Sequence, residues 1–197
     1  MSSSTSHDSE LWSLLMEGDE AAYSGLFRKY YPHLLNYGKS LTSFHNLVPD
    51  CVQEVFIEIW IYRKNLATPS SVKAYLLSGV RKRIARRLER DHIFRNKAEL
   101  TEIEFCMNFT VLDNLISDED TRNQVHLLNK LLNQLPARQK EALYLRYYQG
   151  LDITQIGDLM QINTQSASNL LHRGIKQLRS QWVGELPGLA ILFSIIF

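Results

Sequence analysis

The chain has 197 residues, an apolar content of 45% and a formal net charge of +1, which allow one medium-sized domain or two small ones. Its two cysteines, Cys51 and Cys106, stand in unlike contexts, so neither a disulfide framework nor a metal-ligand set is predicted. The first residues lack the segments of a signal peptide and the apolar C-terminal run is too short to span a bilayer, so we expect a cytoplasmic protein.

Four helices are predicted in the first half of the chain. The first is expected to start near Asp8, and a break at Gly18 separates it from the second. The third begins at Val48 and the fourth at Val72, each after a polar loop. Strand-like alternation is absent from the sequence, and the predicted fold class is therefore all-α.

The third predicted helix combines an apolar stripe with an acidic face. The stripe consists of Val52, Val55, Phe56, Ile59 and Trp60. Much of the remaining surface is polar and consists of Asp50, Gln53, Glu54 and Glu58. A face of this kind usually only interacts with water, but it also suits the docking of a basic partner helix.

The fourth predicted helix carries a cluster of cations. The ten residues from Arg81 to Arg90 include six basic side chains and one acidic side chain. This imbalance favours binding to a phosphate backbone over a merely solvated face. The predicted ridge is formed by Arg81, Arg83, Arg86, Arg87 and Arg90.

The middle of the sequence differs in character from both ends. Between Ala98 and Asp120 acidic residues dominate and hydrophobic periodicity is weak, which predicts a flexible linker with a short helix around Val111 to Ile116. Helical periodicity resumes at Thr121. A further helix is predicted from Arg138 to Tyr148, with Gly150 closing it.

Two short amphipathic segments meet at a polar turn in the last third of the sequence. Their apolar residues have the spacing of a helix-turn-helix: Ile156, Met160, Ile162, Ala167 and Leu170. Ile162 is expected to fill the space between the helices, Gly157 to let them cross closely, and Asn163 to cap the second. Gln161 stands where glycine is usual, because such turns need a positive φ.

The second helix of this motif has one polar face. Its residues are Thr164, Gln165, Ser166, Ser168, Asn169, His172, Arg173 and Lys176. Amide, hydroxyl and cationic groups suit base edges and phosphates in the major groove. The alternative is a helical hairpin that only packs within the protein, but the basic ridge upstream favours contact with DNA.

Taken together, these segments resemble bacterial RNA polymerase sigma factors of the extracytoplasmic-function group. The resemblance runs from about Glu10 to Trp182 and is carried by GDEAAYSGLFRKYYPHLLNY, DCVQEVFIEIW and LPARQKEALYLRYYQGLDITQIGDLMQINTQSASNLLHRGIKQLR. It implies a transcription initiation factor with two small helical domains joined by a flexible linker. The implied divisions are region 2 over 1–95, an acidic linker over 96–122, region 4 over 123–183 and an apolar tail over 184–197.

The resemblance also implies a partner for each surface. The acidic face would contact the basic clamp helices of the largest polymerase subunit, through Asp50, Gln53, Glu54 and Glu58. The loop after the third helix would capture a base flipped from the minus-ten element, and the basic ridge would hold the adjacent duplex. Those minus-ten contacts are Asn65, Thr68, Ser70, Arg81, Arg83, Arg86, Arg87 and Arg90. The polar face of the last helix would enter the major groove at the minus-thirty-five element.

Further partners follow from the same resemblance, namely the polymerase flap, promoter DNA and an anti-sigma factor. No cofactor, metal or small-molecule substrate is implied. The chain departs from the family at Lys82 and Arg86, where many members carry an Asn and an Asp. The apolar tail from Leu186 to Phe197 is unusual, and we expect it to fold back on region 4 or to bind a partner. Contact with a membrane surface is a third hypothesis.

Three alternatives remain from the sequence. A simple helix-turn-helix regulator would bind DNA without polymerase, would normally dimerise and would not need the acidic face. A sigma-like adaptor would keep that face and lose the DNA-reading helix. An enzyme is the weakest alternative, because the sequence contains no Gly-rich phosphate loop, metal-ligand cluster or nucleophile–base pair.

Overall fold

The computed structural model describes residues 2–94, 105 and 119–182. The prediction of an all-α fold is confirmed, since the elements in these ranges are helices. The predicted short helix at 111–116, most of the linker and the apolar tail lie outside the described residues. Contacts divide the chain into two compact units, Met1–Ile103 and Glu104–Phe197. Within the described ranges, every helix is too short or too polar to cross a membrane.

Four long helices build the N-terminal unit. They are α1 (Ser2–Glu17), α2 (Glu20–Ser40), α3 (Val48–Tyr62) and α4 (Val72–Phe94). Short 3₁₀ turns at His45–Leu47 and Arg63–Asn65 precede and follow α3. The helices pack around a core of large, fully buried side chains that includes Trp12, Leu15, Leu34, Tyr37, Phe56, Leu76, Leu77 and Ile84.

The start of α1 differs from the prediction. The helix begins at Ser2, whereas the sequence pattern placed its start near Asp8. Asp8 is not used as a cap. Its buried carboxylate accepts hydrogen bonds from Lys29 Nζ at 2.5 Å and from the Tyr30 hydroxyl at 2.5 Å. A pattern that favours Asp as a helix cap therefore placed the boundary too late, because the side chain has partners on α2.

The break between α1 and α2 is confirmed. Gly18 has a φ of 98°, a backbone conformation that side chains disfavour. Asp19 then caps α2, because its carboxylate accepts the N–H of Ala22 at 2.9 Å. Pro32 lies inside α2, and the helix continues through it.

Four helices also build the described part of the C-terminal unit. They are α5 (Glu119–Gln134), α6 (Ala137–Leu143), α7 (Ile153–Met160) and α8 (Thr164–Gln181). Helix α5 begins at Glu119, so the last residues of the predicted linker are helical. Phe105, also from the predicted linker, is buried, and its ring lies 5.4 Å from the ring of Tyr144.

A π-helical turn, Tyr144–Tyr148, follows α6 directly. The N–H of Gln149 donates to the carbonyl of Tyr144 at 3.1 Å, which is the wide hydrogen bond of a π turn. The buried side chains of the same two residues also meet, because Gln149 Nε2 donates to the Tyr144 hydroxyl at 2.8 Å. Gly150 has a φ of 69° and ends the segment, as the sequence predicted.

Candidate functional site

The two helices of the predicted helix-turn-helix are α7 and α8, and side chains cap both. The N–H of Gln155 donates to Asp152 at 2.8 Å, and the N–H of Asp152 donates to the Gln155 side chain at 3.1 Å. This reciprocal pair is a capping box. At the start of α8, Asn163 Oδ1 accepts the N–H of Ser166 at 2.7 Å, which confirms the predicted cap.

The turn between α7 and α8 is tight. Gln161 has φ 56° and ψ 46°, so it adopts the left-handed conformation expected at this position. The N–H of Ile162 donates to the carbonyl of Gly157 at 2.9 Å. A Cβ on Gly157 would lie 2.9 Å from the carbonyl oxygen of Ile162, so the close approach predicted for this glycine is confirmed, with the backbone of the turn as its neighbour.

The inner side of α8 differs in detail from the prediction. Its buried residues are Ala167, Leu171, Gly174 and Leu178. Leu170 and Ile162 are only partly buried, and both line a groove of about 230 Å³ beside the polar face. Ile162, which was expected to fill the space between the two helices, is therefore not fully enclosed.

The predicted reading face of α8 is open to solvent. Thr164, Gln165, Asn169, His172, Arg173 and Lys176 are exposed, and Ser166 and Ser168 are partly exposed. Gln165 Nε2 donates to Asn169 Oδ1 at 3.2 Å, which pairs two amides on successive turns. The groove beside this face is also lined by Arg138 of α6. Sequence reasoning missed Arg138, because its nearness to Arg173 depends on how α6 packs on α8.

In the N-terminal unit, the acidic face of α3 carries exposed apolar residues. Asp50, Gln53 and Glu58 are exposed, and Glu54 is partly buried. Ile57 and Ile61 lie on the same side, 53% and 61% exposed. Two isoleucines four residues apart on the acidic face, opposite the buried apolar stripe, were the sequence signal for this patch. An exposed apolar pair bordered by carboxylates is typical of a protein-docking surface.

Arginines from α4 contact the same acidic face. Arg83 Nε lies 3.4 Å from Glu54 Oε2, and Arg83 Nη2 donates to Glu58 Oε2. Arg87 Nη1 lies 3.6 Å from Glu54 Oε1. Residues that the sequence assigned to polymerase and residues that it assigned to DNA are therefore joined by ion pairs between α3 and α4.

The predicted ridge of five arginines is accordingly not one continuous row. Arg83 and Arg87 turn towards α3, and Arg81 is partly buried. Three other cations of α4, spaced four residues apart, are exposed, namely Lys82, Arg86 and Arg90. Lys82 was absent from the predicted site, because the sequence alone did not show which side of α4 faces solvent.

The loop between α3 and α4 presents the predicted polar residues. Asn65, Thr68 and Ser70 are exposed. Ser71 fixes the end of the loop, because its Oγ accepts the N–H of Ala74 at 3.2 Å in the first turn of α4.

A cleft of about 370 Å³ lies between α3 and α4 next to this loop. Two tyrosines, a carboxylate and three cations contribute to its walls, namely Tyr62, Tyr75, Glu58, Lys82, Arg83 and Arg86. Aromatic rings interleaved with cations suit single-stranded nucleic acid. Across the described part of the chain, the acidic, cysteine and histidine side chains are not grouped to hold a metal ion.

These observations define a two-part helical protein, with a docking surface and a cationic cleft on one unit and a helix-turn-helix on the other. Comparison with known families makes this more specific. Residues 26–96 match the family Sigma-70 region 2, and residues 126–178 match the family Sigma-70, region 4. The chain therefore belongs to the sigma-70 family, whose members are transcription initiation factors rather than enzymes.

Two solved structures are similar to this chain. One is the sigma factor RpoE in complex with the anti-sigma factor NepR from Bartonella quintana, with a TM-score of 0.57, 18% identity, and coverage of 81% of this chain and 95% of that chain. The other is CnrH in complex with the cytosolic domain of CnrY, with a TM-score of 0.57, 15% identity, and coverage of 88% of this chain and 95% of that chain. No curated protein sequence matches the chain. The predicted resemblance to sigma factors is confirmed by the two family matches, and the two similar structures support the predicted fold.

Proposed function

We propose that this sigma factor binds core RNA polymerase through the acidic face of α3 and places it on promoters through two separate DNA contacts. The loop and cleft between α3 and α4 would hold the minus-ten element, and the polar face of α8 would read the minus-thirty-five element. Its site of action would be the cytoplasm, where polymerase transcribes. The observation that carries the proposal is the exposed Ile57–Ile61 pair beside carboxylates, on a unit that an autonomous helix-turn-helix regulator would not need.

Binding to polymerase would use both components of this face. The carboxylates of Asp50, Glu54 and Glu58 suit the basic clamp helices of the largest subunit, and complementary charge speeds encounter and fixes orientation. Burial of Ile57 and Ile61, which are more than half exposed, would contribute about 25 cal/mol per Å² of apolar surface removed from water.

The test of this surface is charge reversal. Glu54→Lys should abolish binding to core polymerase, because it places a cation against basic clamp helices, and it should leave duplex binding by α8 intact. Glu17→Lys, at the exposed end of α1, is the matched control and should bind polymerase normally. Co-purification with core polymerase measures the difference, and normal holoenzyme formation by Glu54→Lys would contradict the assignment.

The minus-thirty-five contact is tested at Arg173, which is exposed on α8 and lines the groove with Arg138 and Asn169. If its guanidinium makes a bidentate contact to a base, Arg173→Ala should weaken binding to the preferred duplex by roughly 1–3 kcal/mol. Binding to unrelated duplexes should then change little. An equal loss on all duplexes would instead identify Arg173 as a phosphate contact.

The minus-ten contact would form in the cleft. Flipping a base out of the stack costs a few kcal/mol, and the rings of Tyr62 and Tyr75 in the cleft walls offer stacking in return. Asn65, Thr68 and Ser70 do not line the cleft but are exposed on the adjoining loop, where they would contact the edge of a captured base. Lys82, Arg86 and Arg90 would hold the neighbouring phosphates.

We also propose an anti-sigma factor and the polymerase flap as partners of this chain. The similar structures contain RpoE bound to an anti-sigma factor and CnrH bound to the cytosolic domain of CnrY. The decisive experiment mixes the purified chain with core polymerase and sequences the transcripts that start. A chain that ignores polymerase, yet binds specific duplexes as a symmetric dimer, would favour the helix-turn-helix regulator instead.

A further inference from the structure

The ion pairs between α3 and α4 join two surfaces that are proposed to bind different partners. One arginine, Arg83, bridges Glu54 and Glu58, and Arg87 lies 3.6 Å from the second oxygen of Glu54. Two carboxylates of the polymerase-binding face are therefore already neutralised in the free chain. The same pairs hold two of the arginines assigned to DNA away from the exposed row of α4.

We propose that these ion pairs couple polymerase binding to DNA binding. When basic groups of polymerase bind Glu54 and Glu58, Arg83 and Arg87 are released and become available to the phosphates of promoter DNA. The proposal rests on the proposed function, because it requires α3 to bind polymerase and α4 to bind DNA. It adds that each partner strengthens the binding of the other, since coupling between two sites is reciprocal.

The exposure of the four side chains suits an exchange of partners. Arg83, Glu54, Arg87 and Glu58 are 23%, 36%, 40% and 55% exposed. Ion pairs in contact with water contribute little to stability, because solvent screens them. Another cation can therefore replace an α4 arginine without unfolding α3 or α4.

The cleft between α3 and α4 links the pairs to the DNA site. Arg83 and Glu58 both line it, together with Lys82 and Arg86. While Glu58 pairs with Arg83, its carboxylate cancels part of the positive potential that would attract phosphates. A polymerase cation on Glu58 removes that cancellation and leaves three cations in the cleft walls.

A purely positioning role for the arginines can be distinguished from competition by the effect of removing them on polymerase binding. In that case Arg83 and Arg87 would only hold the carboxylates of Glu54 and Glu58 in the geometry that polymerase needs. Removal of the arginines would then weaken binding to polymerase. If the arginines instead compete with polymerase for these carboxylates, removal of the arginines should strengthen binding to polymerase. The sign of the change in polymerase affinity therefore separates the two roles.

The first experiment measures DNA binding by the free full-length chain. The probe is a labelled oligothymidylate of about twelve nucleotides, titrated between about 50 and 200 mM salt. Glu54→Gln removes the ion pair of Arg87 and one of the two ion pairs of Arg83, which keeps Glu58. It should tighten binding at low salt by about three- to tenfold, with a salt dependence steeper by about 0.7 for the released Arg87. Circular dichroism confirms that each variant is folded.

Glu89→Gln is the matched control for this experiment. Glu89 is exposed within the basic cluster of α4, and its substitution changes the net charge by the same amount without touching Arg83 or Arg87. It should tighten binding less than twofold and leave the salt dependence unchanged. Equal gains from Glu54→Gln and Glu89→Gln would overturn the coupling, because overall charge would then explain both.

The second experiment measures binding to core polymerase in the absence of DNA. The double variant Arg83→Gln/Arg87→Gln should bind about two- to fivefold more tightly than Lys39→Gln/Lys64→Gln, which removes the same charge from exposed positions. Weaker binding by the arginine variant would overturn the coupling in favour of a positioning role. If the wild-type chain fails to bind polymerase, the proposed function itself is rejected and the coupling with it.

Discussion

At Gln161 the backbone departs from the conformation that its side chain prefers. Its φ of 56° lies in the left-handed region, which disfavours a residue with a Cβ and suits glycine. Gln161→Gly should therefore raise the free energy of unfolding by about 0.5–1 kcal/mol, even though glycine gives the unfolded chain more freedom. Urea denaturation of the full chain measures the change.

The matched control for this substitution lies four residues further along the chain. Gln165 is exposed in the first turn of α8, where an ordinary helical conformation is needed. Gln165→Gly should lower stability by up to about 1 kcal/mol. Destabilisation by both variants would show that the Gln161 side chain contributes more than its backbone strain costs.

Cys51 gives the N-terminal unit a pH-dependent component of stability. Burial, and secondly the carboxylate of Glu54, raise the pKa of its thiol. In the unfolded chain the thiol ionises at about its ordinary pKa of 8.5. The stabilising contribution is therefore complete below that value and is lost as pH rises towards the higher pKa of the folded state.

Two variants isolate this effect in a background that lacks Cys106. The free energy of unfolding of Cys106→Ser should fall more steeply between about pH 8 and 10 than that of Cys51→Ala/Cys106→Ser. Urea titrations at several pH values give the two slopes. Parallel slopes would mean that the Cys51 thiol ionises equally easily in the folded and unfolded chain.

At the scale of elements, the capping box fixes where α7 begins. Asp152→Ala removes the acceptor for the N–H of Gln155, which lies 2.8 Å from the carboxylate, and should cost about 1 kcal/mol of stability. Asp158→Ala is the same change in the last turn of α7, where Asp158 is exposed. A carboxylate there opposes the helix dipole, so its removal should be neutral or slightly stabilising. Equal losses from both would exclude the cap as the cause.

The helices of the described ranges could largely be predicted from the sequence, because their signals are local. Gly18, Asn163 and Gln161 each mark a boundary through their own backbone or side chain. The π turn after α6 could not be predicted, because apolar spacing does not distinguish one wide turn from an ordinary one. The start of α1 was misplaced, because Asp8 has partners on α2 that no local pattern reveals.

The candidate site was predictable in composition but not in geometry. The acidic face of α3 and the polar face of α8 follow from helical spacing, and the structure leaves both accessible. The pairing of Arg83 with Glu58 depends on the packing of two helices that are distant in sequence. The same reason explains why Arg138 was missed, whereas the exposure of Ile57 had a signal in the helical spacing of α3.

At the scale of the whole molecule, a net charge of +1 hides strong local charge. Binding to duplex DNA should fall steeply with salt, because the phosphates contact faces that are locally rich in cations, whatever the net charge of the whole chain. Lys176, exposed on α8, is placed for a phosphate contact. Lys176→Gln should weaken binding equally on all duplexes and reduce the slope of log K against log salt by about 0.9.

Fluorescence anisotropy on a specific and a random duplex tests this prediction, and Lys39→Gln in α2 is the control for charge alone. The control should leave the slope unchanged, since Lys39 lies outside every proposed DNA contact. A loss confined to the specific duplex would place Lys176 at a base edge and contradict the phosphate assignment.

The wide turn at Tyr144–Tyr148 has a consequence for evolutionary comparison. A π turn holds one more residue than an ordinary helical turn, so a single-residue deletion there converts it to α-helix while both flanks stay in place. Homologues that lack this residue should be aligned with a gap inside the tyrosine-rich segment. An ungapped alignment would displace every downstream position by one and match solvent-facing residues of α7 and α8 with interior ones.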